Sequence, residues 1–143
     1  MHAVIRPLFE RYELFFNRAL AGEADLSEVE ALYAQEFIAA SPAGVMAGKN
    51  DDRLKSLMAE GFERYRAMGT KAMRLGDVSL SPIDEAHCVA HVAWMATYRR
   101  DGRPNVTIDF VVHYLVQLLN GAPTIFGWVS GDEQALLKEH GVI

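Results

Sequence analysis

The chain has 143 residues, half of them hydrophobic and 23% charged, with a formal net charge of -5. This is one domain's length with enough apolar material for a core, which excludes a disordered chain. The acidic balance argues against nucleic acid or an anionic membrane as the main partner.

The N-terminal stretch MHAVIRPLFERYELFF breaks its apolar residues with Arg6, Glu10, Arg11 and Glu13. That pattern fits neither a signal peptide nor a membrane span, and the expected location is cytoplasmic. Pro7 suits a helix start, and Leu8, Tyr12, Phe15, Phe16 and Ala19 recur at helical spacing up to about Gly22. Asp25 or Ser27 can cap a second, short helix reaching Tyr33. EFIAASPAG then reads as a short strand stopped by Pro42. Asn50 is the expected cap of a longer helix with the stripe Leu54, Leu57, Met58, Gly61, Phe62 and Tyr65, ended by Gly69.

The second half reads as strands over roughly 71–80, 88–99, 105–118 and 124–130. Asp101-Gly102 and Asn120-Gly121 are two-residue hairpin signals. SGDEQALLKEHGVI closes with a short capped helix. Helices followed by a meander of long strands make an α+β domain, a single one over 1–143. Arg99, Arg100 and Arg103 cluster near the first hairpin. A solvated hairpin tip is the plain reading of that cluster, and an anion site the sharper one.

Cys88 is the only cysteine, and neither CxxC nor HExxH spacing occurs, so no disulfide and no zinc site is expected. No phosphate-binding glycine loop is present. The expectation is a protein that uses neither a metal nor an organic cofactor.

The element order, together with ALYAQEFIAASPAG, resembles the nuclear transport factor 2-like superfamily, in particular its SnoaL-like and ketosteroid isomerase-like members. The resemblance spans nearly the whole chain. It implies a cone-shaped, curved antiparallel sheet wrapped around a long helix, with two further N-terminal helices and an apolar pocket at the open end. It also implies an aspartate directly before P-x-G and a tyrosine in the first helix in the ketosteroid isomerase subset. Here Ser41 occupies the first position, and Phe15 or Phe16 the second, with Tyr12 one turn away. Steroid isomerisation is therefore not expected.

Counting back from two unbulged hairpins predicts which side chains share a face. It sets Trp94 opposite Asp109, Ala90 opposite His113, and Trp128 opposite His113. One face then gathers Trp94, Tyr98, Asp109, His113, Phe126 and Trp128, an aromatic wall with isolated polar groups. Asp109 and His113 stand roughly 13 Å apart along the strand, too far for a dyad but able to touch one ligand from two ends. They are the expected catalytic pair, with Asp109 as acid or base. Tyr12, Phe16, Phe62, Trp94, Tyr98, Phe126 and Trp128 are the expected ligand-binding residues. A structural acid, a satisfied strand histidine and plain core aromatics are the competing readings. The expected function is a pocket for a small apolar molecule, with isomerisation, cyclisation or dehydration by proton transfer. The alternative is a non-catalytic ligand-binding or assembly module. A homodimer through the strip Ile108, Phe110, Val112 and Tyr114 is the expected partner arrangement.

Overall fold

The structure, a computed structural model, describes residues 1–143. Four helices and six strands follow in order: α1 His2–Leu20, α2 Val29–Leu32 after a 3-10 turn, β1 Tyr33–Ser41, β2 Gly44–Lys49, α3 Asp52–Ala67, β3 Thr70–Pro82, β4 His87–Arg100, β5 Arg103–Leu119, β6 Ala122–Val129 and α4 Glu133–Glu139. The sheet order is β2-β1-β6-β5-β4-β3. The expected α+β class holds, with one change: β1 and β6 run parallel, so the sheet is mixed rather than antiparallel.

The helix that the sheet embraces is α1. It buries Ile5, Leu8, Phe9, Phe15, Phe16, Ala19 and Leu20. Pro7 lies inside α1 rather than at its start. A proline there costs about 3 kcal/mol through its missing N–H and ring clash. Ile5, Leu8 and Phe9 are each 0% exposed, and full burial of each such side chain contributes about 1.5–3 kcal/mol, so packing outweighs the break. The helix α3 buries only Phe62 and turns its apolar stripe to a cavity instead.

β3 is an edge strand, and α1 covers its edge. Asn17 Nδ2 donates to the Met73 carbonyl (2.7 Å), and the Met73 N–H donates to Asn17 Oδ1 (3.0 Å). The Leu75 N–H donates to Glu13 Oε2 (2.6 Å), and Arg6 donates to the Gly76 carbonyl (3.2 Å). These side chains satisfy backbone groups that a missing neighbour strand would otherwise pair, and they fix α1 against the sheet.

Two local expectations change. GVMAGK, to which the sequence assigns no element, is β2, which forms a hairpin with β1 through Pro42-Ala43, so that Ser41 pairs with Gly44. Asp51, not Asn50, caps α3 by accepting from the Leu54 N–H. Asn50 is buried and donates instead to the Tyr33 carbonyl at 3.0 Å, tying the start of β1 to the α3 entry.

The hairpin pairings Arg100–Arg103 and Leu119–Ala122 occur as expected, but neither hairpin stays regular. A bulge at Pro104–Asn105, opposite Arg99, shifts β5 by one residue, and another at Phe126 shifts β6. Trp94 therefore pairs with Phe110, Ala90 with Tyr114, and Trp128 with Tyr114. A one-residue slip moves a side chain to the other face. Ile108, Val112 and Tyr114 are buried, and Phe110 packs beside them. This strip faces the helices and is not a dimer surface. Asp109, Val111 and His113 lie on the opposite face and are exposed. No helix is long and apolar enough to cross a membrane.

Candidate functional site

Strict alternation builds the inner wall. Along β4, Cys88, Ala90, Val92, Trp94, Ala96 and Tyr98 are buried, while the residues between them are not. β5 adds Ile108, Phe110, Val112 and Tyr114, and α3 adds Leu54, Met58, Phe62 and Tyr65. Between them lies an apolar cavity of about 630 Å³. Volumes of this order hold small organic ligands.

Six of the seven expected ligand-binding residues line this cavity: Tyr12, Phe16, Phe62, Trp94, Tyr98 and Trp128. The seventh, Phe126, does not. It is the bulged residue of β6, and its ring meets the edge of His87 at 6.0 Å. The expected catalytic pair is also displaced. The β5 wall passes through Asp109, but alternation turns its side chain outward, as it does that of His113. His113 pairs with His91 across the outer face, Nδ1 to Nδ1 at 2.7 Å, and His91 in turn reaches Ser81 Oγ at 2.7 Å. Ser41 is likewise remote. It is exposed on the β1–β2 hairpin, where its hydroxyl accepts from the Ala43 N–H.

The polar groups that cluster inside the cavity are tyrosines. Tyr12 comes from α1, Tyr33 from the start of β1 and Tyr114 from β5, and all three line it. Their rings gather round Tyr12, with centroids 6.4 Å away for Tyr33 and 6.2 Å for Tyr114. The Trp94 indole N–H donates to the Tyr114 hydroxyl at 3.1 Å. Burial holds the Tyr12, Tyr33 and Tyr114 hydroxyls protonated, raising each above the ordinary phenol range. For Tyr12, interaction with the Tyr33 and Tyr114 hydroxyls works the other way and favours negative charge on its oxygen. Sequence reasoning placed Tyr114 on the wrong face and read Tyr33 as a helix end, so the cluster was missed.

A second polar group marks the mouth. Glu133, the first residue of α4, lines the cavity and is exposed. Its carboxylate interacts with the Tyr65 hydroxyl, which burial and that charge together push well up. Tyr98 is pushed up to about 12, by burial first and Glu133 second. In sequence Glu133 looks only like a helix-start acid, which is why it drew no attention. Histidine, cysteine and carboxylate side chains nowhere gather in threes, so no metal-ligand set is built.

A curved sheet folded over helices around an apolar pocket with a few inward polar groups defines an NTF2-like protein. The chain belongs to the family described as NTF2-like protein (DUF6841), whose model matches residues 3–133. Solved structures agree in fold. An NTF2-like protein with a cystatin-like fold from Novosphingobium aromaticivorans is 12% identical with a TM-score of 0.67, covering 99% of this chain and 88% of that one. An NTF-2 like protein of unknown function from Shewanella oneidensis is 14% identical with a TM-score of 0.62, covering 92% and 98%. A putative calcium/calmodulin dependent protein kinase II association domain from Xanthomonas campestris is 10% identical with a TM-score of 0.62, covering 89% and 84%. At such identities the likeness shows the fold alone. No curated protein matches the chain.

Proposed function

We propose that the protein binds a small, mostly apolar molecule carrying one hydrogen-bonding oxygen, which the Tyr12 hydroxyl holds inside the cavity. The observation that carries this reading is the convergence of Tyr12, Tyr33 and Tyr114 within an otherwise apolar space of about 630 Å³. A packed interaction domain would fill that space with its own side chains. The same pocket chemistry supports grouping the chain with the SnoaL-like and ketosteroid isomerase-like members of its superfamily.

Proton transfer on the bound molecule, as in isomerisation, cyclisation or dehydration, is the second reading. It is favoured by Glu133, a carboxylate on the rim of a site whose buried tyrosines can hold a developing oxyanion. Asp109, on the outer face, does not enter this reading. Assembly through the fold, suggested by the name of the Xanthomonas campestris protein, has no feature of this cavity in its support.

Both tryptophans of the chain, Trp94 and Trp128, line the cavity, so their fluorescence reports occupancy directly. α-Tetralone and tetralin share a skeleton and differ by one carbonyl oxygen. The ketone is expected to bind roughly 3- to 10-fold tighter, the range of one net hydrogen bond, and Tyr12→Phe to erase the difference while keeping tetralin affinity. Equal binding of the two by the native protein would sink the oxygen-recognition reading. Recovery of a ligand unchanged after long incubation separates binding from catalysis.

A further inference from the structure

A second, smaller concavity lies where α3 runs into β3. It has a volume of about 300 Å³ and is lined by Arg66, Gly69, Thr70, Lys71 and Arg99, with no hydrophobic residue and no carboxylate. In a chain of net charge -5, three cations on one concavity are unexpected. None of the three takes part in an ion pair.

The backbone explains how they meet. Lys71 is the extra residue of a bulge in β3, between the paired positions Thr70 and Ala72, and Arg99, between Tyr98 and Arg100, is the single residue that faces the bulge Pro104–Asn105 of β5. Bulges re-aim side chains that a regular ladder would send elsewhere. Gly69, at φ +94, lets the start of β3 approach Arg99, whose N–H donates to its carbonyl at 2.7 Å. Arg66 is held by its own hydrogen bond to the Ala19 carbonyl, at 2.7 Å. The guanidinium is thus anchored before any ligand arrives. Thr70 is 8% exposed, lines this concavity, and its hydroxyl oxygen has no hydrogen-bond partner. A buried, unpaired hydroxyl beside three uncompensated cations is a donor waiting for an acceptor.

We propose that this concavity is a binding site for a phosphate-type oxyanion, held by Arg66, Lys71 and Arg99 and by a hydrogen bond from the Thr70 hydroxyl. Mutual repulsion of the three cations is relieved when a dianion enters, and the two guanidinium groups match its geometry. Thr70 also lines the large apolar cavity. The phosphate can therefore come as the free ion or as the ester of a molecule whose apolar part reaches past Thr70. The site itself does not depend on what occupies the larger cavity.

The test is calorimetric titration of the full chain with inorganic phosphate, against chloride at matched ionic strength. Phosphate is expected to bind and chloride not. Lys71→Gln and Arg99→Gln should each weaken phosphate binding about tenfold, as loss of a charge-assisted hydrogen bond does, and the double variant should abolish it. Both side chains are exposed, and an unchanged melting temperature without phosphate confirms that the variants fold. Phosphate should also raise the melting temperature of the native chain but not of the double variant. Hexyl phosphate binding tighter than phosphate identifies an esterified ligand, and equal affinity the free ion; either upholds the site. Heat no different from chloride's, or a double variant that binds phosphate as the native chain does, overturns it.

Discussion

The Trp94 indole N–H donates to the Tyr114 hydroxyl at 3.1 Å, across the paired strands β4 and β5 and beneath α1. Both residues are at most 5% exposed, so neither polar atom can turn to bulk water. Tyr114→Phe leaves the Phe9 contact in place, at 4.8 Å between ring centroids, but strands the indole N–H. A buried donor left unpaired costs about 1–3 kcal/mol. Urea unfolding should show that loss at an unchanged slope. A midpoint equal to that of the native chain would mean the indole finds another acceptor.

All five tyrosines of the chain have raised phenol pKa values: Tyr12, Tyr33, Tyr65, Tyr98 and Tyr114. Burial is the first cause in each. A phenol whose folded pKa exceeds its unfolded value near 10 gives full stability below pH 10, because both states are then protonated. Above pH 10 the unfolded chain loses protons that the folded chain keeps, and stability falls. For Tyr98, that loss runs from about pH 10 to about 12; the other four, each raised above 10, add to it. Phenolate absorbance should stay flat through pH 10 and rise together with unfolding. A separate step near pH 10 in the folded protein would show that one of these hydroxyls is open to water.

The helices, every strand but β2 and most pocket aromatics were legible in the sequence because periodicity reports burial directly. Trp94, Tyr98 and Trp128 fall on the cavity as expected. The polar groups of the cavity were not legible, and the reason is local. Hairpin counting propagates one assumption along a whole strand, and bulges at Pro104–Asn105 and at Phe126 each break it. Hydrophobic contrast held the better signal. Ile108, Phe110, Val112 and Tyr114 form the more apolar of the two alternate sets on β5, and that set faces inward. Asp109 and His113 belong to the mixed set because it faces solvent. Glu133 and the tyrosine cluster depend on contacts between distant elements, which no spacing records.

Gly69 carries a stability prediction of its own. At φ +94 a side chain is strained, and a Cβ there would collide with the Arg99 carbonyl oxygen. Gly69→Ala should therefore cost about 1–3 kcal/mol from backbone strain, with the collision in addition. Gly22→Ala, also at positive φ but with open space around it, should cost less. Equal losses in thermal unfolding at the two positions would rule out the collision and leave strain alone.

We propose that the expected homodimer forms through the outer face of the sheet. There Ile38, Met95, Val111 and Val129 are all exposed, and Ile38 and Leu115 close over Gly127 from the same side. Apolar side chains spread across four neighbouring strands are a surface that a second copy could cover. Val111→Glu should then halve the mass seen by sedimentation at micromolar concentration, with the melting curve of a folded monomer. Phe110→Glu, one residue away, should behave differently. Its side chain points at the cavity among Trp94, Val112 and Tyr114, and a carboxylate there must be desolvated or take up a proton. It should destabilise the fold by about 3 kcal/mol or more, the scale of an uncompensated buried charge. Dissociation by Phe110→Glu without loss of stability would contradict the register, and a native mass for Val111→Glu would count against this face as the interface.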